Sequence, residues 1–517
     1  MQSKALRILS FGSLAIVVVM MIIATVVERL QGTDVALSRF YHHPVFFLLW
    51  GVAAVTGLCL VLRRGAFRKP FTVGLHVALA VILVGALVTH LTGKSGGIHL
   101  RQGEVSSSYE LDEGSSETLP FSLRLESFEI ERYPGSQAPS DYRSEVTFLP
   151  EGRVVTISMN HIAKYGGYRF YQADYDEDGQ GSILAVSHDP WGVGITYAGY
   201  LLLLVCMIGY FFQKDTPFRA ALRRVLSASA AVVALLLVPA QSASAATAEQ
   251  VYMSIGLPRI PFMLSLTLGI VLFVLSAVWM SRGRKYPRGV LLGGAAAALL
   301  IWLYLTLVIG LRWHLSGTGP WVGRYSVMML MAWFSTLAIL LLYRRFPLIE
   351  PLGFLLAGFT MLMASRSGAD LKMMPLMPVL RTPLLSIHVV SMMMSYTLFG
   401  LVAFNGIMGL CVKKEASARL QDLSLVVLVP AVFLLTFGTF LGAVWANISW
   451  GSYWAWDPKE TWALVTLLVY SFALHGGALP AFRRPRFFHI YSILAFLAVL
   501  ITYFGVNLIL GGMHSYA

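Results

Sequence analysis

Long apolar runs, parted by loops in which basic residues cluster at every second turn of the chain, decide the class of this protein before any single residue is weighed. A run of about 20 apolar residues crosses a hydrocarbon core of about 30 Å. Such runs occupy 8–27, 43–62, 71–91, 191–212, 225–240, 261–280, 289–311, 325–343, 352–364, 384–411, 423–445, 462–479 and 489–510. The expectation is a polytopic α-helical integral membrane protein of about 13 transmembrane helices. Composition points the same way, since 57% of 517 residues are hydrophobic and 13% charged. Soluble domains carry roughly twice that charge.

The excess of 39 Lys and Arg over 26 Asp and Glu gives a formal charge of +13. Its placement excludes nucleic acid as the reason. Arg63/Arg64/Arg68/Lys69, Arg219/Arg223/Arg224, Arg282/Arg284/Lys285/Arg288, Arg344/Arg345, Lys413/Lys414/Arg419 and Arg483/Arg484/Arg486 fall in alternate loops. Basic loops stay on the cytoplasmic side of a membrane. The N-terminus is therefore expected inside, and the C-terminus and the loop around 450–457 outside. Cys59, Cys206 and Cys411 lie in apolar runs without a CxxC pair, which reads as buried, inert thiols and no thiol-redox centre.

Four segments follow: transmembrane helices over 1–92, an extracytoplasmic β-rich domain over 93–190, linking helices over 191–246, and a second membrane domain over 247–517. Alternating stretches such as FSLRLESFEIERY and EVTFLPEGRVVTISM, punctuated by Gly, Pro, Ser and Asp, carry the β expectation. That domain has no nucleophile motif or phosphate loop and reads as a platform or docking surface. RRVLSASAAVVALLLVPAQSASAA (223–246) imitates a secretory signal, but at an internal position it reads as a short fifth span.

Placing the histidines on this topology separates four of them. His76 and His475 fall near the cytoplasmic ends of their spans, whereas His388 and His514 fall on the outer side. His42, His43, His90, His99, His161, His188 and His314 read as loop or interface residues, and His489 as interfacial. Zinc would ask for three or four ligands with carboxylate or thiolate partners. A proton relay would ask for carboxylates within the spans. Haem suits the pattern better, because its iron takes two axial nitrogens and aromatic side chains cover its flat face. Arg324, Arg366, Lys372, Arg381 and Lys459 are the outer cations available for its propionates, with no choice among them possible at this stage. WGSYWAWDPKETWAL (450–464) concentrates Trp450, Trp454 and Trp456 beside Asp457 and Pro458. An interfacial belt explains part of this, and an Asp457 cap with Pro in the first helical turn explains another part.

This stretch resembles the WWD signature of the haem-handling protein superfamily. NLILGGMHSYA resembles the CcsA (ResC) branch of system II cytochrome c biogenesis. KPFTVGLHVALAVILVGALVT, LPFSLRLESFEI and YGGYRFYQADYD resemble its partner, CcsB or ResB. Over nearly its whole length the chain therefore resembles a fused CcsBA-type cytochrome c synthase, although its outer domain is smaller than in many relatives. The resemblance implies a bacterial cytoplasmic membrane, haem b with its iron kept reduced, and a haem lyase activity. It implies iron ligation by His76 and His475 at an inner site and by His388 and His514 at an outer one. Trp450, Trp454 and Trp456 would cover the outer haem, with Asp457 beside them. The implied substrate is an apocytochrome c with a CxxCH motif, and a separate thioredoxin-like reductant would keep its thiols reduced. Two rival readings are a WWD protein that delivers haem to a chaperone and a haem-independent transporter or receptor.

Overall fold

The computed structural model describes residues 2–63, 69–112, 114–226, 245–284, 286–317, 319, 321, 323–344, 346–366 and 377–510. Helices α1 (Gln2–Gln31), α2 (Thr33–Ala36), α3 (Pro44–Arg63) and α4 (Pro70–Thr92) come first, and an eight-stranded sheet follows. Next are α5 (Gly192–Phe212), α6 (Pro217–Leu226), α7 (Ala245–Ile255), α8 (Arg259–Ser281), α9 (Arg288–Ser316), α10 (Arg324–Leu342) and α11 (Ile349–Arg366). The chain closes with α12 (Pro383–Cys411), α13 (Lys414–Ser449), α14 (Pro458–Leu474) and α15 (Pro485–Leu500), the last running on as a π-helical stretch, Ile501–Leu510. Proline opens α4, α12, α14 and α15, where its fixed φ suits the first turn and its missing N–H costs nothing.

Among the described residues, ten helical runs are long and apolar enough to cross a membrane, against the roughly thirteen expected. The differences have physical reasons. Residues 227–240 of the expected fifth span lie outside the described residues. α11 has charged ends, Glu350 and Arg366, and α14 has 17 residues, short of the crossing length of about 20. The chain is a multi-pass membrane protein with one β-rich region.

That region is a single antiparallel sheet, β1 (Lys94–Arg101), β2 (Val105–Leu111), β3 (Ser116–Arg132), β4 (Pro139–Leu149), β5 (Arg153–Ser158), β6 (Ala163–Tyr165), β7 (Tyr168–Tyr175) and β8 (Gly181–His188). Its order is β5-β4-β3-β2-β1-β8-β7-β6. An isolated bridge between Ser158 and His161 closes the turn that leads from β5 to β6, the strands at the two ends of that order. Alternate residues then point inward, and Leu100, Leu123, Leu125, Val146, Phe148 and Phe170 form a core with no solvent exposure.

Contacts sort the loops onto two faces. On one, Arg224 forms a two-pronged ion pair with Asp422 (2.6 and 2.7 Å), and Gln421 Nε2 donates to Phe482 O. The Gln213 side chain accepts from Phe71 N and Thr72 N. Several of the basic clusters therefore share this face. The opposite face carries the sheet. There Tyr453 OH donates to Thr89 Oγ1 at 2.8 Å, Ser449 Oγ donates to Asn160 Oδ1 at 2.8 Å, and Arg381 lies over the Tyr133 ring.

Two expectations about single residues change. Of the three cysteines only Cys206 is buried, whereas Cys59 is half-buried and Cys411 exposed. Cys206 owes its burial to the bare backbone of Gly74 opposite it, which leaves α4 and α5 in close contact. His489 is not interfacial. It is wholly buried and bonded through Nε2 to Ser417 O at 3.0 Å, because Gly409 of α12 leaves space for its ring.

Candidate functional site

His76 is the seventh residue of α4, and His475 follows the last residue of α14. These elements belong to opposite ends of the chain, yet the two rings lie 6.0 Å apart, edge to face at 89°. Each Nδ1 donates to the carbonyl one turn earlier, His76 to Thr72 O at 2.8 Å and His475 to Ser471 O at 2.6 Å. A carbonyl oxygen only accepts, so Nδ1 carries the hydrogen and Nε2 is the basic nitrogen, the one able to bind a metal. Phe11 of α1 packs against His475. Both histidines singled out by depth are thus together, on the face of the basic loops.

His388 stands on α12 near the sheet-bearing face. Its Nδ1 donates to Gly438 O of α13 at 2.6 Å, an arrangement that again makes Nε2 the basic nitrogen. The approach depends on glycine. A Cβ on Gly442 would lie 2.6 Å from the His388 ring, and one on Gly438 would lie 2.8 Å from Met392 Sδ. Glycines four apart clear one stripe of α13, and the imidazole lies along it. No other residue type fits either position without moving the ring or Met392.

In front of His388 opens an apolar pocket shaped by α10, α12, α13, α14 and the π-helical stretch. Met392, Met393 and Tyr396 continue the wall from His388, and Trp321, Trp445 and Trp454 contribute aromatic surface. Arg324, Lys459 and Glu460 are its charged members, with Asn507 beside them. Thr439 also lines it. This residue is 7% exposed, and its hydroxyl has no hydrogen-bond partner among the described residues. The indole N–H of Trp454 is likewise buried without one. Such groups are costly in an apolar wall unless a ligand or water meets them. A flat apolar ligand with polar substituents and a metal that accepts imidazole matches this donor set. Among the described residues no cluster of three or more His, Cys, Asp or Glu could hold a bare metal ion.

The tryptophans separate by role. Trp454 faces the pocket, whereas Trp450 packs edge-on behind Trp445 at 4.7 Å. Trp456 turns toward the N-terminal helices. It stacks on Tyr41 (4.5 Å, 11°) and meets Phe46 edge-on (5.2 Å). Its φ of +59° lies in the left-handed region, an unusual state for a bulky residue that persists only where surroundings impose it. Asp457 caps α14, accepting from Lys459 N at 2.8 Å. Glu460 reaches back to accept from Ala455 N at 2.9 Å, so the two carboxylates bracket the helix start. Gly451, at φ +86°, admits the Tyr171 ring of the sheet.

Of the five outer cations, Arg324 and Lys459 line the pocket, Arg381 serves the contact with Tyr133, and Arg366 ends α11. Lys372 and His514 lie outside the described residues. The described chain ends at Leu510, close after Asn507 and Leu508 of the pocket wall. Reasoning from sequence passed over Gly438, Gly442, Thr439 and Asn507. The glycine pair in TFGTFLGAVW was the available signal, since small residues four apart mark close approach between membrane helices.

Comparison with known proteins settles the family. The cytochrome C assembly protein family matches residues 321–514, and the ResB-like family matches residues 52–192. The cytochrome c biogenesis protein CcsA of Synechococcus sp. (strain CC9902) is 32% identical, over 50% of this chain and 97% of that protein. The chain belongs to the CcsA family of cytochrome c biogenesis proteins. A ResB-like unit is fused ahead of it. The CcsA of Guillardia theta is 30% identical over 48% of this chain and 92% of its own length. Protein NrfI of Wolinella succinogenes is similar across both units, 23% identical over 96% of this chain and 93% of its own. Membership in this family implies haem handling, and with it a meaning for the two imidazole sites.

Proposed function

We propose that the protein moves haem b across the cytoplasmic membrane and joins it covalently to the CxxCH cysteines of an apocytochrome c outside. The single observation that carries this reading is the pair of imidazole sites, one on each face, within a fused ResB-like and CcsA-like chain. His76 and His475 take the haem iron on the cytoplasmic side. His388 takes it in the outer pocket, with His514 as the second axial ligand. Trp454 covers one part of the ligand, while Trp450 and Trp456 hold the loop that presents it. Asp457 acts through the start of α14 rather than on the reacting atoms.

Haem supplies two vinyl groups, and each cysteine thiol adds across one of them. Sulfur bonds to the vinyl carbon next to the ring, and the thiol hydrogen ends on the terminal carbon. No electrons leave the pair, so the join needs no outside oxidant. The thiolate is the nucleophile, and the contribution of the chain is to hold both reactants in register. A separate thioredoxin-like partner keeps the thiols reduced, since this chain has no CxxC. The bilayer orientation follows the basic loops: N-terminus inside, WWD loop and C-terminus outside.

The test is expression with an apocytochrome c in a host lacking every cytochrome c maturation gene. Covalent, haem-stained cytochrome is the expected outcome. Haem bound to the protein without covalent product would point to a delivery subunit, and absence of haem to a transporter or receptor.

A further inference from the structure

The face of the basic loops carries a further cavity, a cleft of about 280 Å³ between the end of α8 and the start of α13. Met280, Arg282 and Gly283 line it from one side, and Lys413, Glu415 and Arg419 from the other. The two segments are far apart in sequence, so folding, and not chain order, brings three cations together. Gly283 shapes one lip. At φ +67° it ends α8 in a turn whose N–H groups donate backward, Gly283 N to Met280 O at 3.1 Å and Arg284 N to Trp279 O at 2.8 Å. Glycine adopts this left-handed cap at little cost.

Arg282, Lys413, Glu415 and Arg419 are all exposed, and none takes part in an ion pair among the described residues. Glu415 and Arg419 have the four-residue spacing of a helical ion pair, yet none forms between them. Three cations against one carboxylate leave the cleft positive. The rule that keeps basic loops inside asks only for their side of the membrane, not for their meeting in one cleft. The cleft also borders the hydrocarbon region. In its last turns α8 exposes Val274, Leu275 and Val278, and α12, which leads to Lys413, exposes Ile407 and Leu410. Cations beside exposed aliphatic side chains match the headgroup and tails of a phospholipid, and basic pockets between membrane helices on the cytoplasmic side bind anionic headgroups.

We infer that this cleft binds the phosphate of an anionic phospholipid, whose acyl chains lie along the ends of α8 and α12. Arg282 and Arg419 offer forks to the phosphate oxygens, and Lys413 a point charge. Held from both sides, the lipid ties α8 to the turn between α12 and α13. α8 precedes the region that matches the cytochrome C assembly protein family, so the tie joins that region to a helix outside it.

The experiment is native mass spectrometry of the full-length protein in a mild non-ionic detergent, titrated with phosphatidylglycerol and with phosphatidylcholine of the same chains. The unaltered protein should hold one phosphatidylglycerol about tenfold or more tighter than phosphatidylcholine. Arg282→Gln, Lys413→Gln and Arg419→Gln should each weaken that lipid about fivefold, the worth of one cation near a headgroup. Glu415→Gln should strengthen it, a gain that damage to the fold would not imitate. Arg484→Gln with Arg486→Gln, in another basic loop of the same side, should leave it in place. Equal retention of the two lipids by the unaltered protein overturns the inference, and so does unchanged retention in the three cleft variants. Equal weakening in the Arg484 and Arg486 variant overturns it as well, by reducing the cleft to the general charge of the face. Release of the lipid by inorganic phosphate at the same concentration overturns the lipid as the source and assigns the cleft to a soluble phosphate.

Discussion

The two imidazole sites use one local device in different settings. At both, a backbone carbonyl takes the Nδ1 hydrogen and makes Nε2 the basic nitrogen. At the first, the carbonyl lies one turn earlier in the same helix or its end, so each histidine positions itself. At the second, the carbonyl belongs to another helix, and two glycines of that helix make the approach possible. His76 and His475 face each other, and Phe11 packs against His475. Around His388 are aromatic walls, cations and an unmet hydroxyl. The first setting suits brief passage, the second prolonged holding in one orientation.

The sharpest way to break this contrast is to remove one imidazole from each. His388→Gly should abolish holocytochrome formation, and free imidazole should recover a large part of it by filling the space left behind. His76→Ala should also cut product formation in cells. Purified His76→Ala should still bind added haem in the outer pocket with an unchanged spectrum. An altered outer spectrum in that variant would mean that the two sites are not separate.

The next largest effect belongs to the glycine cradle. Gly442→Ala places a methyl group against the His388 ring and should weaken outer haem by about 1–3 kcal/mol, the usual cost of overpacking. The same change should lower the thermal stability of the otherwise unaltered chain and leave that of a His388→Gly background almost unmoved, since no ring then meets the methyl group. A similar loss of thermal stability in both backgrounds would remove the cradle from the account.

A third comparison sets Trp456 against Trp454. Trp456→Ala strips stacking from Tyr41 and Phe46 and should destabilise the joint between the two units by about 1–3 kcal/mol, less than a fully buried aromatic because Trp456 is half-buried. Thermal unfolding in detergent measures it. Trp454, which meets Trp456 edge-on at 5.6 Å, should on replacement by Ala lower the unfolding temperature less than Trp456→Ala does and lower haem affinity more. Reversal of the two results would exchange their roles.

The smallest effects lie at the periphery. Arg224→Ala removes a half-exposed ion pair and should cost under about 1 kcal/mol, less at high salt. In the sheet, Lys94 holds Glu117 below the usual carboxylate range, Thr147 and Arg124 hold Glu126 there, and Arg101 holds Asp178 there. A carboxyl whose pKa falls on folding stabilises the fold above its unfolded value and ceases to do so as pH drops through the folded one. Sheet stability, followed by circular dichroism, should therefore decline on acidification below the ordinary carboxylate range and stay level through neutrality.

Much of this was legible in the residues because hydrophobic runs and basic loops act locally. Span positions, the alternating strands and the depth of His76, His475 and His388 all follow from distance along the chain. What escaped depends on orientation. A belt of tryptophans reads alike whether an indole faces a pocket or a neighbouring helix, and the choice at Trp456 is made by a left-handed backbone held by Tyr41 and Phe46. The cradle was visible only as two glycines until His388 was seen against them. α14 was drawn as a full span, yet Asp457 starts it and His475 ends it within 17 residues.

If His76 and His475 bind the cargo as proposed, their pairing makes one binding site out of the first and last parts of the chain. A ligand gripped by both rings favours only the form in which those parts are joined, and by linkage stabilises it by about 2.7 kcal/mol when present at a hundred times its Kd. Cargo and assembly are then coupled in both directions. Loading tightens the seam between the two units, and anything that opens the seam expels the load. Where such units are encoded as separate polypeptides, the abundance of the cargo would itself govern how much of the complex exists.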